Sequence, residues 1–393
     1  MTQQPTPAGP HPALIDLAAG RPLPLVTDPL VLVRSACEHG MAGLLLSEVE
    51  RTDQQWRRLV LAVLTGRQAK VLAWHEQLWA GLTRVAAVLD DLGVDVAIAK
   101  GIAAETRWYD RTGERPCNDL DLLLSPAQLS RIDDVIAAIE PSHPLCGRTR
   151  RLAERGLLQS VDLEYEGIPV DLHWDIFKLG IPSRNRHAIW DRTVPFPLRD
   201  GRSIRALDGE SSYVHFLLHL NKDRFRRLLG YVDPVRVFER EELDSAAIRR
   251  LVRADGIESS VSATWDVVTS TLGRPVRSQL RADPVRSLVW RLAWRPSVRL
   301  RGTESTVRFR HRQWLIAALS QGRALETLVC WVRERFPPRE LLAYVHSGYA
   351  VRWGAEQVSA TSKSPLWDLT VGRLLAAVSR RRRVARVTRS RTG

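Results

Sequence analysis

Between residues 28 and 93 the apolar positions recur at helical spacing. Leu78, Leu82, Val85, Leu89 and Leu92 follow at intervals of four, three, four and three, which draws one apolar stripe along a helix. Gly93 stands where a C-cap would end it. The period then changes to alternation. Val94, Val96 and Ile98 interleave with Asp95, Ala97 and Ala99, as in a short strand. A helix from Gly101 to about Tyr109 follows, then a loop through Gly113. A second alternating run, Asn118 to Leu124, sets Asp119, Asp121 and Leu123 on one face and Leu120, Leu122 and Leu124 on the other. Ser125-Pro126-Ala127-Gln128 reads as a helix start, with Ser125 as cap and Gln128 closing a capping box. Leu129, Ile132, Ile136 and Ile139 give that helix its buried side. Glu166-Gly167 divides two alternating runs and predicts a hairpin. After the turn, Ile168, Val170, Leu172 and Trp174 share one face, and Pro169, Asp171, His173 and Asp175 share the other. Pro169 gives no ladder N–H, so it marks an edge strand or the first residues of a strand.

From about 207 the pattern turns helical, over Asp208 to Leu220, Tyr231 to Arg240 and several segments beyond. Trp290, Trp294, Trp314 and Trp331 read as core anchors rather than a base-stacking platform. The expected organisation is a flexible, proline-rich leader over 1–27, a sheet-bearing domain over 28–206, a helical domain over 207–350, and a basic segment and tail over 351–393. The expected class is α+β: a small mixed β-sheet with helical cover, then a mostly helical C-terminal domain. No internal repeat is visible.

The chemistry concentrates in three carboxylates. Asp119 and Asp121 on one strand face repel each other, and a site that keeps both supplies a cation between them. Mg²⁺ suits oxygen ligands of this kind. Asp171 on a neighbouring strand completes a cluster able to hold two divalent ions at the spacing used for in-line phosphoryl-type displacement. His173 shares the Asp171 face and reads equally well as a structural histidine. His215 and His219 are four apart on a helix, but the zinc-helix glutamate is missing between them.

These segments resemble the nucleotidyltransferase superfamily that includes DNA polymerase beta, and within it a bacterial branch of uncharacterised nucleotidyltransferases. The resemblance is carried by Lys100-Gly101, by Arg115-Pro116-Cys117-Asn118-Asp119-Leu120-Asp121-Leu122-Leu123, and by Val170-Asp171-Leu172-His173-Trp174. It covers about residues 75–175, with a weaker echo to about 350 that includes the Arg-Phe-Pro-Pro-Arg-Glu-Leu-Leu run at 335–342. It implies a Mg²⁺-dependent transferase that moves NMP, by default AMP from ATP, to a hydroxyl-bearing acceptor and releases pyrophosphate. The acceptor is a small molecule, a peptide or a protein. Asp119, Asp121 and Asp171 would be catalytic and hold two Mg²⁺ ions. Lys100, Gly101 and Arg115 would contact substrate, Arg115 alternatively buttressing the site through a carboxylate. Asp233 would help hold the helical segment against it. Most of the superfamily has Gly-Ser where this chain has Lys100-Gly101. Gly101 still lets backbone approach phosphate. Two other readings stand beside this one: a non-catalytic nucleotide-binding module of the same fold, and a sugar-nucleotide glycosyltransferase whose Asp-x-Asp holds a metal.

Charge and cysteines alter the picture little. The formal charge is +14, and the seven arginines within 379–391 account for half of it. Such a tail is either a solvated end or a weak polyanion binder. The four cysteines are scattered, without a Cys-x-x-Cys pair, which fits a reducing cytoplasm rather than a zinc or disulfide framework. No apolar run is long enough to span a membrane, and the first residues do not read as a secretory signal.

Overall fold

A computed structural model describes residues 10–51, 56–156, 158–177, 183–223 and 225–274. The tryptophan-rich stretch, the 335–342 run and the arginine tail lie outside the described residues.

The helices are α1 (Pro12–Ala18), α2 (Pro29–Glu38), α3 (Ala42–Val49), α4 (Arg57–Asp91), α5 (Ile102–Trp108), α6 (Ile132–Ile139), α7 (Thr149–Glu154), α8 (Arg186–Asp191), α9 (Gly209–Lys222), α10 (Leu229–Arg240), α11 (Ser245–Asp255) and α12 (Glu258–Thr271). The strands are β1 (Val96–Ile98), β2 (Leu120–Leu124), β3 (Ser160–Tyr165), β4 (Ile168–His173), β5 (Val194–Pro197) and β6 (Ser203–Ala206). They form one mixed sheet of six strands in the order β3-β4-β2-β1-β6-β5. The expected α+β class is therefore what the chain adopts. Among the described residues, no helix is long and apolar enough to cross a membrane.

The stripe on α4 is buried as its period requires, with Leu78, Leu82 and Val85 fully covered. Gly93, at φ 64°, closes the helix by accepting the left-handed conformation. Its N–H reaches Asp90 O at 2.7 Å and that of Val94 reaches Leu89 O at 2.8 Å. Gly81 lets α4 lie against the start of β4, since a Cβ there would stand 2.8 Å from Ile168 Cγ1. Glu166 and Gly167 both take positive φ and turn β3 into β4 as the hairpin signal predicts.

The structure sharpens, departs from or adds to the expectations at four points. β4 lies inside the sheet, between β3 and β2, so Pro169 marks the first residues of a strand and not an edge. The β2 ladder begins only at Leu120↔Val170, one residue past Pro169. The capping box at Ser125 does not form: Ser125 makes no side-chain cap, and a six-residue 3₁₀ turn precedes α6. Gln128 instead spans two backbone groups, accepting from Asp95 N at 2.7 Å and donating to Gly93 O at 2.9 Å. Within the expected leader, α1 buries Ala13 and Leu14 completely. Finally, the β5–β6 hairpin is an addition. It extends the sheet beyond β1 by a parallel pairing, Ala97↔Arg205 and Ile98↔Ala206.

Candidate active site

The parallel pairing of β2 with β4 builds the centre of the site. Its register sets Asp121 opposite Asp171 and Leu123 opposite His173. Residues paired this way point to the same face, so two carboxylates from segments fifty residues apart stand side by side. His173 reaches across both: Nε2 lies 3.0 Å from Asp171 Oδ2 and 3.3 Å from Asp121 Oδ1. Lys100, at the end of β1, brings Nζ to 2.9 Å from the same Asp121 Oδ1.

The electrostatics follow from these distances. Burial alone would raise the Asp121 carboxyl, but Lys100 and His173 reverse that and hold it well below the usual carboxylate range. Burial would lower the Lys100 ammonium, and Asp121, Asp119 and Asp171 together keep it above its ordinary value. Asp119 is pushed up to about 7, first by the charge of Asp121 and then by burial. It precedes β2, which starts two residues later than the alternation suggested. The donor atoms that converge within 4.8 Å of one another are those of Asp121, Asp171 and His173. Asp119 is coupled to them by charge and stands beside that set rather than in it.

Asp121 Oδ2 is buried and has no hydrogen-bond partner among the described residues. Next to it the backbone turns at Gly101 with φ 60° and ψ −120°, a conformation that favours glycine. A Cβ on Gly101 would stand 3.9 Å from Asp121 Oδ2 and 3.4 Å from Asp119 O. An orphaned carboxylate oxygen beside a bare backbone turn fits a divalent cation and its oxygen-rich ligands. α5 has only seven residues, so the distinctive feature at its start is this turn rather than a long helix dipole. Gly101→Ala is expected to weaken nucleotide binding about tenfold or more through backbone strain of about 1–2 kcal/mol. Equal nucleotide affinity in a folded Ala variant, measured by calorimetry, would remove Gly101 from the site.

Arg115 goes to the buttress. It is 7% exposed and grips Asp233 with two bonds, Nε to Oδ1 at 2.8 Å and Nη2 to Oδ2 at 3.0 Å. Tyr109 Oη donates to the same Oδ1 at 2.6 Å. Asp233 on α10 thus ties the helical segment to the loop that delivers Asp119 and Asp121.

A second brace was not legible in the sequence. His75 of α4 is fully buried; its Nε2 accepts from Cys117 N at 3.1 Å and its Nδ1 lies 3.1 Å from Glu105 Oε2. Glu105 Oε1 accepts from Gly113 N at 2.6 Å. His75, Glu105 and Cys117 bring donor atoms together as a metal site would. Here, however, both ring nitrogens face partners within the protein, and Arg115 Nη1 sits 3.7 Å from Cys117 Sγ. Burial first, and Glu105 behind it, push the thiol up to about 12 against the pull of Arg115. The cluster holds the 109–119 loop in place; a cation beside a guanidinium is disfavoured. His215 is likewise structural: Nδ1 lies 3.0 Å from Ile176 O and the ring stacks on His219 at 5.9 Å. Burial, then Lys100 and His173, lower it to about 3.

Residues 27–273 match the uncharacterised nucleotidyltransferase family. The chain belongs to that family. No curated protein and no solved structure matches it. The match reaches well past the 75–175 segment and spans α2 through α12 together with the whole sheet. Membership also sets aside the glycosyltransferase reading of Asp119-Leu120-Asp121.

Proposed function

We propose that the protein transfers a nucleoside monophosphate, AMP from ATP by default, to a hydroxyl on a small molecule, peptide or protein, and releases pyrophosphate. The observation that carries this is the in-register meeting of Asp121 and Asp171 beside Lys100 and the Gly101 turn. Asp119, Asp121 and Asp171 would hold divalent ions, two Mg²⁺ in the simplest arrangement, which would supply charge neutralisation of the triphosphate and of the oxygens that develop charge in the reaction.

The chain's own groups divide the remaining work. Gly101 presents bare backbone to the phosphates. Lys100 carries a fixed positive charge into an acidic pocket that would otherwise repel a triphosphate. Asp171, the most open acid of the converged set at 14% side-chain exposure, takes the proton from the acceptor hydroxyl. The acceptor oxygen bonds to the α-phosphorus as the bond from that phosphorus to the bridging oxygen breaks, and pyrophosphate departs with the electron pair. Arg115 and Asp233 keep the acid-bearing loop in place without touching substrate.

The test is pyrophosphate release from each of the four NTPs with Mg²⁺, with a cell extract supplying acceptors. Release that tracks one NTP is the expected result. A folded protein that binds none of them would overturn the proposal and favour the non-catalytic module.

Metal affinity should depend on pH in a set direction. With Asp119 titrating at about 7 in the metal-free protein, a cation that needs the carboxylate must displace its proton below that pH. Apparent affinity then falls by up to about tenfold per pH unit on going down from 7, and binding releases protons. Calorimetry in buffers of different ionisation heat reads both. Asp119→Asn should flatten the profile; an unchanged slope in that variant would assign the proton elsewhere.

A further inference from the structure

We propose that the position formed by Asp121, Asp171 and His173 binds its divalent ion through the His173 imidazole, as an oxygen–nitrogen site suited to Mn²⁺-class ions rather than an all-oxygen Mg²⁺ site. This rests on the metal-dependent reading above and specifies the ion and the ligand at one of its two positions.

Three features of the site support it. First, β4 alternation and the β2–β4 register put both carboxylates and the imidazole on one face without any side chain having to cross the sheet. Second, the donor atoms lie within 4.8 Å of one another, and the two separations made by His173 match those of neighbouring ligands on one ion. Bonds of about 2.1–2.2 Å at right angles place neighbouring ligand atoms about 3.0–3.1 Å apart. His173 Nε2 stands 3.0 Å from Asp171 Oδ2 and 3.3 Å from Asp121 Oδ1. Third, the polar contacts of the ring among the described residues are made through Nε2, which faces both acids. Mg²⁺ gains little from a nitrogen ligand, whereas imidazole is a normal ligand for first-row transition ions.

The arrangement assigns a second role to Lys100. Its ammonium holds Asp121 Oδ1, the oxygen that His173 faces, so an ion taken up between His173 and Oδ1 must displace the ammonium. The Oδ2 beside Gly101, unpartnered among the described residues, is left for the second position. Lys100 acts as the placeholder that keeps the acids compensated until the ion arrives. Its removal should tighten metal binding while weakening triphosphate binding, a split that a purely phosphate-binding lysine would not produce.

The experiment uses the full chain with Mn²⁺ alone, so that it is independent of turnover. Pulsed EPR of bound Mn²⁺ should show nitrogen hyperfine coupling that changes isotope pattern when the protein carries ¹⁵N-histidine, which needs no variant. The coupling should vanish in His173→Asn, with Mn²⁺ affinity lowered about tenfold or more and Mg²⁺ affinity little changed. Lys100→Met should raise Mn²⁺ affinity. Bound Mn²⁺ without nitrogen coupling, or coupling that survives in a folded His173→Asn variant, overturns the proposal, as does failure to bind Mn²⁺. In each of those cases pyrophosphate release with Mg²⁺ still tests the transferase reading independently.

Discussion

Asp121→Asn and Asp171→Asn should each lower NTP-dependent pyrophosphate release by about 10²–10⁴-fold, with the larger loss at Asp121. Asp121 is the acid on which the others converge: Lys100 and His173 both contact its Oδ1, and its charge is the main reason Asp119 is raised. Removing that charge relieves repulsion as well as attraction. The relief offsets only part of the lost attraction to Lys100 and His173, so the metal-free Asp121→Asn variant should unfold more easily than the parent in thermal unfolding, by up to about 3–5 kcal/mol. The Asp119 carboxyl should titrate nearer its ordinary value. Turnover retained in a folded Asp121→Asn variant would take the β2–β4 face out of the chemistry altogether.

The second large effect is on stability. Asp233→Ala leaves the Arg115 guanidinium buried without its carboxylate and leaves Tyr109 Oη without its acceptor. Stranding one member of a buried ion pair costs about 3–5 kcal/mol. Urea unfolding should show that loss as a lower midpoint. Joint replacement, Arg115→Met with Asp233→Leu, should cost less than Asp233→Ala alone, because no buried charge remains unpaired. If the joint variant is the worse of the two, the pair acts through something other than mutual neutralisation.

What could be read in advance follows the range of the interaction. The alternation within 120–124 and 168–173 is local, so the strands that carry Asp121 and Asp171 were visible in the chain. The hairpin at Glu166-Gly167 and the stop at Gly93 are equally local. That β4 pairs with β2, and so becomes internal, is a long-range fact that Pro169 could not reveal. The partner of Arg115 lies 118 residues away, and His75 is hidden within the long α4 helix, where a histidine carries no periodic signal. Gln128 had the spacing for a capping box, but the carbonyl of Gly93 and the amide of Asp95 compete for its amide group and win. The β5–β6 hairpin was signalled only by Asp200-Gly201 between two short runs.

The parallel ladder between β2 and β4 also bears on how the protein reaches its working state. Parallel strands cannot be zipped from a tight turn, and every step of their pairing closes a long loop. A slip of one residue would send Asp171 and His173 to the opposite face while leaving hydrophobic positions to be swapped on both strands. The two acids can therefore meet only when β2 and β4 pair in this register across the segment that carries α6, α7 and β3. Cation binding becomes a late event on the folding path, and its appearance during refolding would time the correct register more sharply than the recovery of helix or sheet content.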